Sequence, residues 1–149
     1  MTPSEDTIRQ LNLLLAKTKE AEKGFAAAAE KAVRVDLKNY FQQKSNRRNV
    51  FALEISTAIR ALGKTENPNH NYLGDIHRFW MDVKTALSFD TDEALLEECE
   101  RGEKYSLEDY DKVLANQNLS IPVRNVLESQ RDKVATTIET MQILDKDDE

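Results

Sequence analysis

The chain has 149 residues, enough for one domain with a sizeable core. It is 40% hydrophobic and 32% charged, with only four glycines and three prolines, which excludes many-turned β architectures and a disordered chain. A formal net charge of −6 argues against nucleic acid as a partner, because phosphate binding needs a concentrated basic surface, and Lys44, Arg47 and Arg48 are too few to reverse that balance.

The first helix is predicted to open at Thr2-Pro3-Ser4-Glu5, with Thr2 as cap and Glu5 completing a capping box, and to end near Ala32. Ile8, Leu11, Leu15, Thr18, Phe25 and Ala29 recur at three- and four-residue steps along it. Asp36 is the expected cap of a second helix, whose stripe is Leu37, Phe41, Lys44, Arg48, Phe51, Ile55, Ala58 and Leu62, with Gly63 as its stop. "KTENPNHNYLG" reads as a loop. A short helix is expected over about Asp75 to Ser88, carrying Ile76, Phe79, Trp80, Val83 and Leu87. Asp90, with Glu93 three residues on, marks the next helix start. That helix runs to about Ala115 on the stripe Leu96, Cys99, Glu103, Ser106, Tyr110 and Val113. Ser120 and Pro122 open the last helix, with stripe Val123, Leu127, Gln130, Val134, Ile138 and Met141 and a frayed acidic tail from about residue 145. Four long helices, each with one apolar stripe, predict a single all-α domain, an antiparallel four-helix bundle with one additional short helix.

Four polar residues interrupt these stripes near the helix midpoints: Glu22, Arg48, Glu103 and Gln130. Antiparallel helices bring their midpoints to one height, so these four are expected to meet as a buried polar cluster. Buried charges need a partner or a metal, and one guanidinium can serve carboxylates through paired hydrogen bonds. A structural layer fixing helix register and a functional cavity or metal site are both open at this point. On the first helix a second stripe, Leu14, Thr18, Ala21, Phe25 and Ala28, bypasses Glu22 and would leave it in water.

Catalytic motifs are absent: there is no nucleophile elbow, P-loop, dinucleotide fingerprint or Cys-x-x-Cys, and no Glu-x-x-His pair. The only histidines, His70 and His77, read as surface or packing residues. Cys99, the one cysteine, is flanked by glutamates that disfavour a thiolate, and it reads as a small core residue. No run approaches the roughly 20 apolar residues that span a bilayer, the polar faces are not lysine-rich, and "MTPSEDTIRQ" lacks signal-peptide regions. The expectation is a cytoplasmic protein with no membrane partner.

"EKGFAAAAEKA", "IHRFWMDVKTAL" and "LLEECERGEKY", in this order, resemble an uncharacterised bacterial family of ferritin-like four-helix-bundle proteins, a domain of unknown function, over about Ile8 to Leu144. The resemblance implies the ferritin-like fold and no established reaction. Within the wider ferritin-like and rubrerythrin-like group, Glu100 and Glu103 of "ECERGE" match positions of bridging carboxylates. Arg48-x-x-Phe51 stands where those proteins carry Glu-x-x-His, and Ile138 where they often carry histidine. The resemblance thus implies a degenerate di-iron site and a non-enzymatic interaction or stress-associated protein with no cofactor. The alternative is a metal-binding protein or oxidoreductase holding iron or manganese at Glu100 and Glu103. The expected partner is a second copy (a dimer or larger homo-oligomer) or another protein. Tyr72, Phe79 and Trp80 are the candidate interface, with Trp80 as a cap on the core the competing assignment.

Overall fold

The computed structural model describes residues 2–64 and 91–147. The expected short helix and the aromatic trio Tyr72, Phe79 and Trp80 lie outside them, as do both histidines. The described residues form four helices: α1 (Pro3–Lys31), α2 (Val35–Ala61), α3 (Asp92–Leu114) and α4 (Ile121–Asp147).

Helix ends follow local chemistry. At α1, Thr2 Oγ1 accepts from the Glu5 amide at 3.1 Å while the Glu5 carboxylate accepts from the Thr2 amide at 3.2 Å, a complete capping box. α2 closes on Gly63, whose φ of 77° only glycine adopts at little cost. The Gly63 and Lys64 amides bond back to Arg60 and Ile59, satisfying the last carbonyls of the helix. α4 starts behind Ser120, whose hydroxyl accepts from the Val123 amide at 3.4 Å.

Two sequence expectations at helix ends need correction. Asp36 does not cap α2. It lies inside the first turn and takes two hydrogen bonds from the Arg34 guanidinium, which holds its carboxyl below the ordinary range. The residue that caps α3 is Thr91, not Asp90: Thr91 Oγ1 accepts from the Ala94 amide at 3.1 Å. At the other end of the chain α4 is helical to Asp147, with Leu144 packed on the core.

Asp92 ties the topology together. Its two carboxylate oxygens accept from the amides of Val33 and Arg34 at 2.8 and 3.0 Å, so the start of α3 supplies the cap that the α1–α2 turn lacks. α3 therefore begins at the end of the bundle where α1 ends. At the other end Asn116 donates to Thr7 and Gln10 of α1, and Arg124 donates to the carbonyls of Leu114 and Asn116. α1 packs chiefly on α2 and α3 on α4, with weaker α1–α3 and α2–α4 sides. α2 and α3 consequently stand diagonally across the bundle.

Two apolar clusters fill the interior. The one around Phe25, Leu37, Phe41, Leu95, Leu96, Cys99 and Met141 sits toward the α1–α2 turn. The one around Leu11, Leu15, Ile55, Ile59, Val113, Val123 and Leu127 sits toward the α3–α4 turn. None of the described helices is long and apolar enough to cross a membrane.

Removing the Asp92 carboxylate leaves two amides of the α1–α2 turn unbonded at a partly exposed site. Asp92→Ala is expected to cost about 1 kcal/mol, in the range of a lost helix cap, and to lower Tm by about 2–4 °C. Urea and thermal unfolding followed by circular dichroism measure both.

Candidate functional site: a buried ion pair at the bundle midpoint

Between the two apolar clusters lies a polar tier. Arg48 of α2 and Glu103 of α3 are 3% and 1% exposed. Arg48 Nη1 donates to Glu103 Oε2 at 3.1 Å and Nη2 to Oε1 at 2.5 Å, so both carboxylate oxygens are taken by one guanidinium. The guanidinium carbon is 5.6 Å from the ring centres of both Phe25 and Phe51, one from each apolar cluster. Aromatic faces are among the few apolar surfaces that attract a cation, which lowers the burial cost. Burial by itself pushes the Arg48 pKa down, but the charge and hydrogen bonds of Glu103 outweigh it and hold the guanidinium above its ordinary range.

A second tier lies about two turns further along α3. Tyr110 donates its hydroxyl to Gln130 Oε1 at 2.6 Å, and Gln130 Nε2 donates to the Phe51 carbonyl at 3.3 Å and to Glu54 Oε1 at 3.2 Å. Burial pushes the Tyr110 phenol up, so it stays a hydrogen-bond donor at any physiological pH.

The four midpoint residues are thus not one cluster. Arg48 and Glu103 pair; Gln130 is buried but bonds to Tyr110 and α2. Glu22 is half-buried and turned away, accepting from Asn49 Nδ2 at 3.2 Å near the surface. α1 buries the bypassing stripe Leu14, Thr18, Ala21, Phe25 and Ala28 together with Leu11, Leu15 and Ala29 of the first one, and Glu22 lies at the edge of that wide arc. Tyr110 joins the polar residues through its phenol, a handle its place on an apolar stripe conceals. Within "LLEECERGEKY", Leu95, Leu96, Cys99 and Glu103 face inward, while Glu98 pairs with Arg101 at 2.9 Å and Glu100 lies 3.6 Å from Lys104. Burial, followed by the charges of Glu103 and Glu98, pushes the Cys99 thiol up and away from reactivity.

Four-helix carboxylate proteins hold two metal ions with a Glu from each of two helices and a Glu-x-x-His from each of the other two. The residues at this midpoint do not fit that centre. Arg48 puts a fixed positive charge in the site, Glu103 has both oxygens committed to it, and Phe51 and Ile138 are core side chains. Glu100 is displaced from the tier toward Lys104.

The sequence reading missed a second acidic group. Glu93, Glu97 and Asp145 bring carboxylate oxygens within 4.8 Å of one another near the α1–α2 end. Asp145 lies in the stretch expected to fray, so its approach to α3 carried no sequence signal. Glu97 is held above its ordinary carboxylate range by local burial and then by the charges of Asp145 and Glu93.

Placed beside known proteins, this architecture is similar in fold to Dps1 of Mycobacterium smegmatis, determined as a point mutant: TM-score 0.76 at 12% identity, over 96% of this chain and 98% of that one. The chain is an all-α, ferritin-like four-helix bundle. Residues 6–116 match the family described as Domain of unknown function (DUF2383), and the chain belongs to that family. No curated protein matches it.

Two outcomes test the site. Arg48→Met strands a buried carboxylate and is expected to cost about 3–5 kcal/mol, whereas Arg48→Met combined with Glu103→Leu recovers most or all of it, the behaviour of a buried pair replaced by apolar residues. Denaturant titration of the three variants gives the coupling. For Glu97, a folded-state pKa raised above the unfolded value means that the native state binds protons more readily, so the penalty is absent at low pH and grows as pH rises through the folded value. Glu97→Gln is expected to raise Tm at pH 7 and to leave it unchanged near pH 3, read from paired thermal melts.

Proposed function

We propose that this protein is a non-enzymatic ferritin-like bundle that acts through its surface as an interaction protein, in homo-oligomeric form, and needs no metal ion. The observation that carries this reading is the buried Arg48–Glu103 pair. In a ferritin-like bundle the midpoint carboxylates need a cation. Here the guanidinium supplies it from within the chain, and the bidentate geometry uses the whole carboxylate. A cation arriving from solution would have to displace Arg48, leaving a desolvated guanidinium without its counterion. Among the described residues, the glutamates outside the tier are exposed or half-buried, two of them beside basic residues on α3. Oxygen ligands of that kind hold hard cations weakly unless several converge, and the group that does converge, Glu93, Glu97 and Asp145, lies at the bundle's end, with both glutamates exposed to water.

Elemental analysis tests the reading, on untagged protein expressed with added iron and manganese. The expected result is well under one equivalent of either metal, unchanged in the Arg48→Met/Glu103→Leu variant. One or more equivalents in the wild type, lost in Glu100→Gln or in that double variant, would replace this reading with a metal-binding one centred on Glu100 and Glu103.

A further inference from the structure

α2 carries a second regular face that none of the other described helices covers. Asn39, Gln43, Asn46, Val50, Leu53 and Thr57 are all exposed and follow alternating steps of four and three residues. That is the spacing of a helix-pairing seam, with a repeat of about 3.5 residues. No charge falls on these six positions, although 32% of the chain is charged. Two apolar side chains, Val50 and Leu53, stand at its centre, 52% and 61% exposed. Arg47 and Glu54 are exposed beside them on one flank, Arg47 nearer the start of the helix and Glu54 nearer its end.

We propose that a second copy of this chain docks on this face, α2 against α2, antiparallel about a twofold axis passing between Val50 and Leu53. This inference rests on the homo-oligomeric reading above and names its surface. Charge complementarity selects the occupant and the direction. In the antiparallel register Val50 meets Leu53 of the partner subunit and Asn46 meets Thr57 of the partner subunit. Arg47 then faces Glu54 of the partner subunit, and the twofold axis makes that ion pair twice. In parallel pairing Arg47 would face Gln42 of the partner subunit and Glu54 would face Asn49 of the partner subunit, so neither charge would find its opposite. Glu54 is already oriented from inside the bundle, because its Oε1 accepts from the buried Gln130 amide at 3.2 Å. Its side chain is also exposed to solvent, on the flank where this register brings the partner's Arg47. An apolar centre with charges at the rim is the usual anatomy of a specific interface.

Sedimentation velocity of the full chain across a concentration series tests the proposal. The wild type is expected to show a monomer–dimer equilibrium. Leu53→Glu should raise the dissociation constant at least tenfold with unchanged helicity, because an exposed position carries little of the monomer's stability. Arg47→Glu should also weaken the dimer, and Arg47→Glu combined with Glu54→Arg should restore it. A wild type that stays monomeric overturns both this surface and the homo-oligomeric reading, leaving the face to a different protein. An oligomer unmoved by Leu53→Glu overturns this surface alone. A charge exchange that fails to restore a dimer weakened by Arg47→Glu overturns the antiparallel register.

Discussion

The bundle is organised around one buried ion pair. Arg48 and Glu103 belong to helices that stand diagonally across the bundle, so their contact is made through the centre of the core rather than along a helix–helix side. Spanning that distance takes a long side chain with a rigid, forked head, and arginine suits it better than lysine because two parallel hydrogen bonds fix direction as well as charge. Desolvating two ions costs several kcal/mol each, so the pair is a poor source of net stability. What it supplies is a register. Sliding α2 against α3 by one turn would leave both charges unpaired in apolar surroundings, at a cost of about 3–5 kcal/mol on top of the lost packing. The two apolar clusters on either side, with a phenylalanine from each against the guanidinium, are located by that requirement.

The neighbouring tier extends the same constraint outward. Tyr110 holds Gln130, and Gln130 bridges to the backbone of Phe51 and to Glu54 on the surface of α2. A chain of hydrogen bonds therefore runs from the core of α3 through α4 to the exposed side of α2. The α2–α4 side has the sparsest packing of the four sides of the bundle, so these polar contacts do proportionally more there to hold the helices together. They also fix the carboxylate of Glu54, which an isolated surface glutamate would hold in many rotamers at an entropic cost to any pairing.

The four long helices and most of their facing were legible in the sequence because apolar positions recur along each at helical spacing. Every expected stripe residue of α4 is buried, and Arg48 and Glu103 stand out as charges among apolar neighbours. On α1 that pattern does not single out one stripe. It packs on both α2 and α3 and buries Leu11 and Leu15 as well as Leu14 and Ala21, so its buried arc is wide and two stripes fit the pattern; the alanine run adds no discrimination. Glu22 was misplaced for that reason. The Asp92 clamp and the Tyr110–Gln130 bond were not legible at all. Each depends on which helices are neighbours, and local periodicity reports a helix's face but not what stands opposite it.

Similarity to Dps1 of Mycobacterium smegmatis at 12% identity fixes the architecture and leaves the chemistry to the side chains. A bundle whose midpoint carboxylates are neutralised by a solution cation couples its core to cation supply. A bundle neutralised by its own arginine does not, because the counterion arrives with the chain and is in place whenever the helices are. The guanidinium itself stands where the two apolar clusters meet, 5.6 Å from the ring centres of Phe25 and Phe51. On the proposed reading, what remains available for recognition is the outside of the helices, where the uncharged ridge of α2 is the most regular pattern that the core leaves unused.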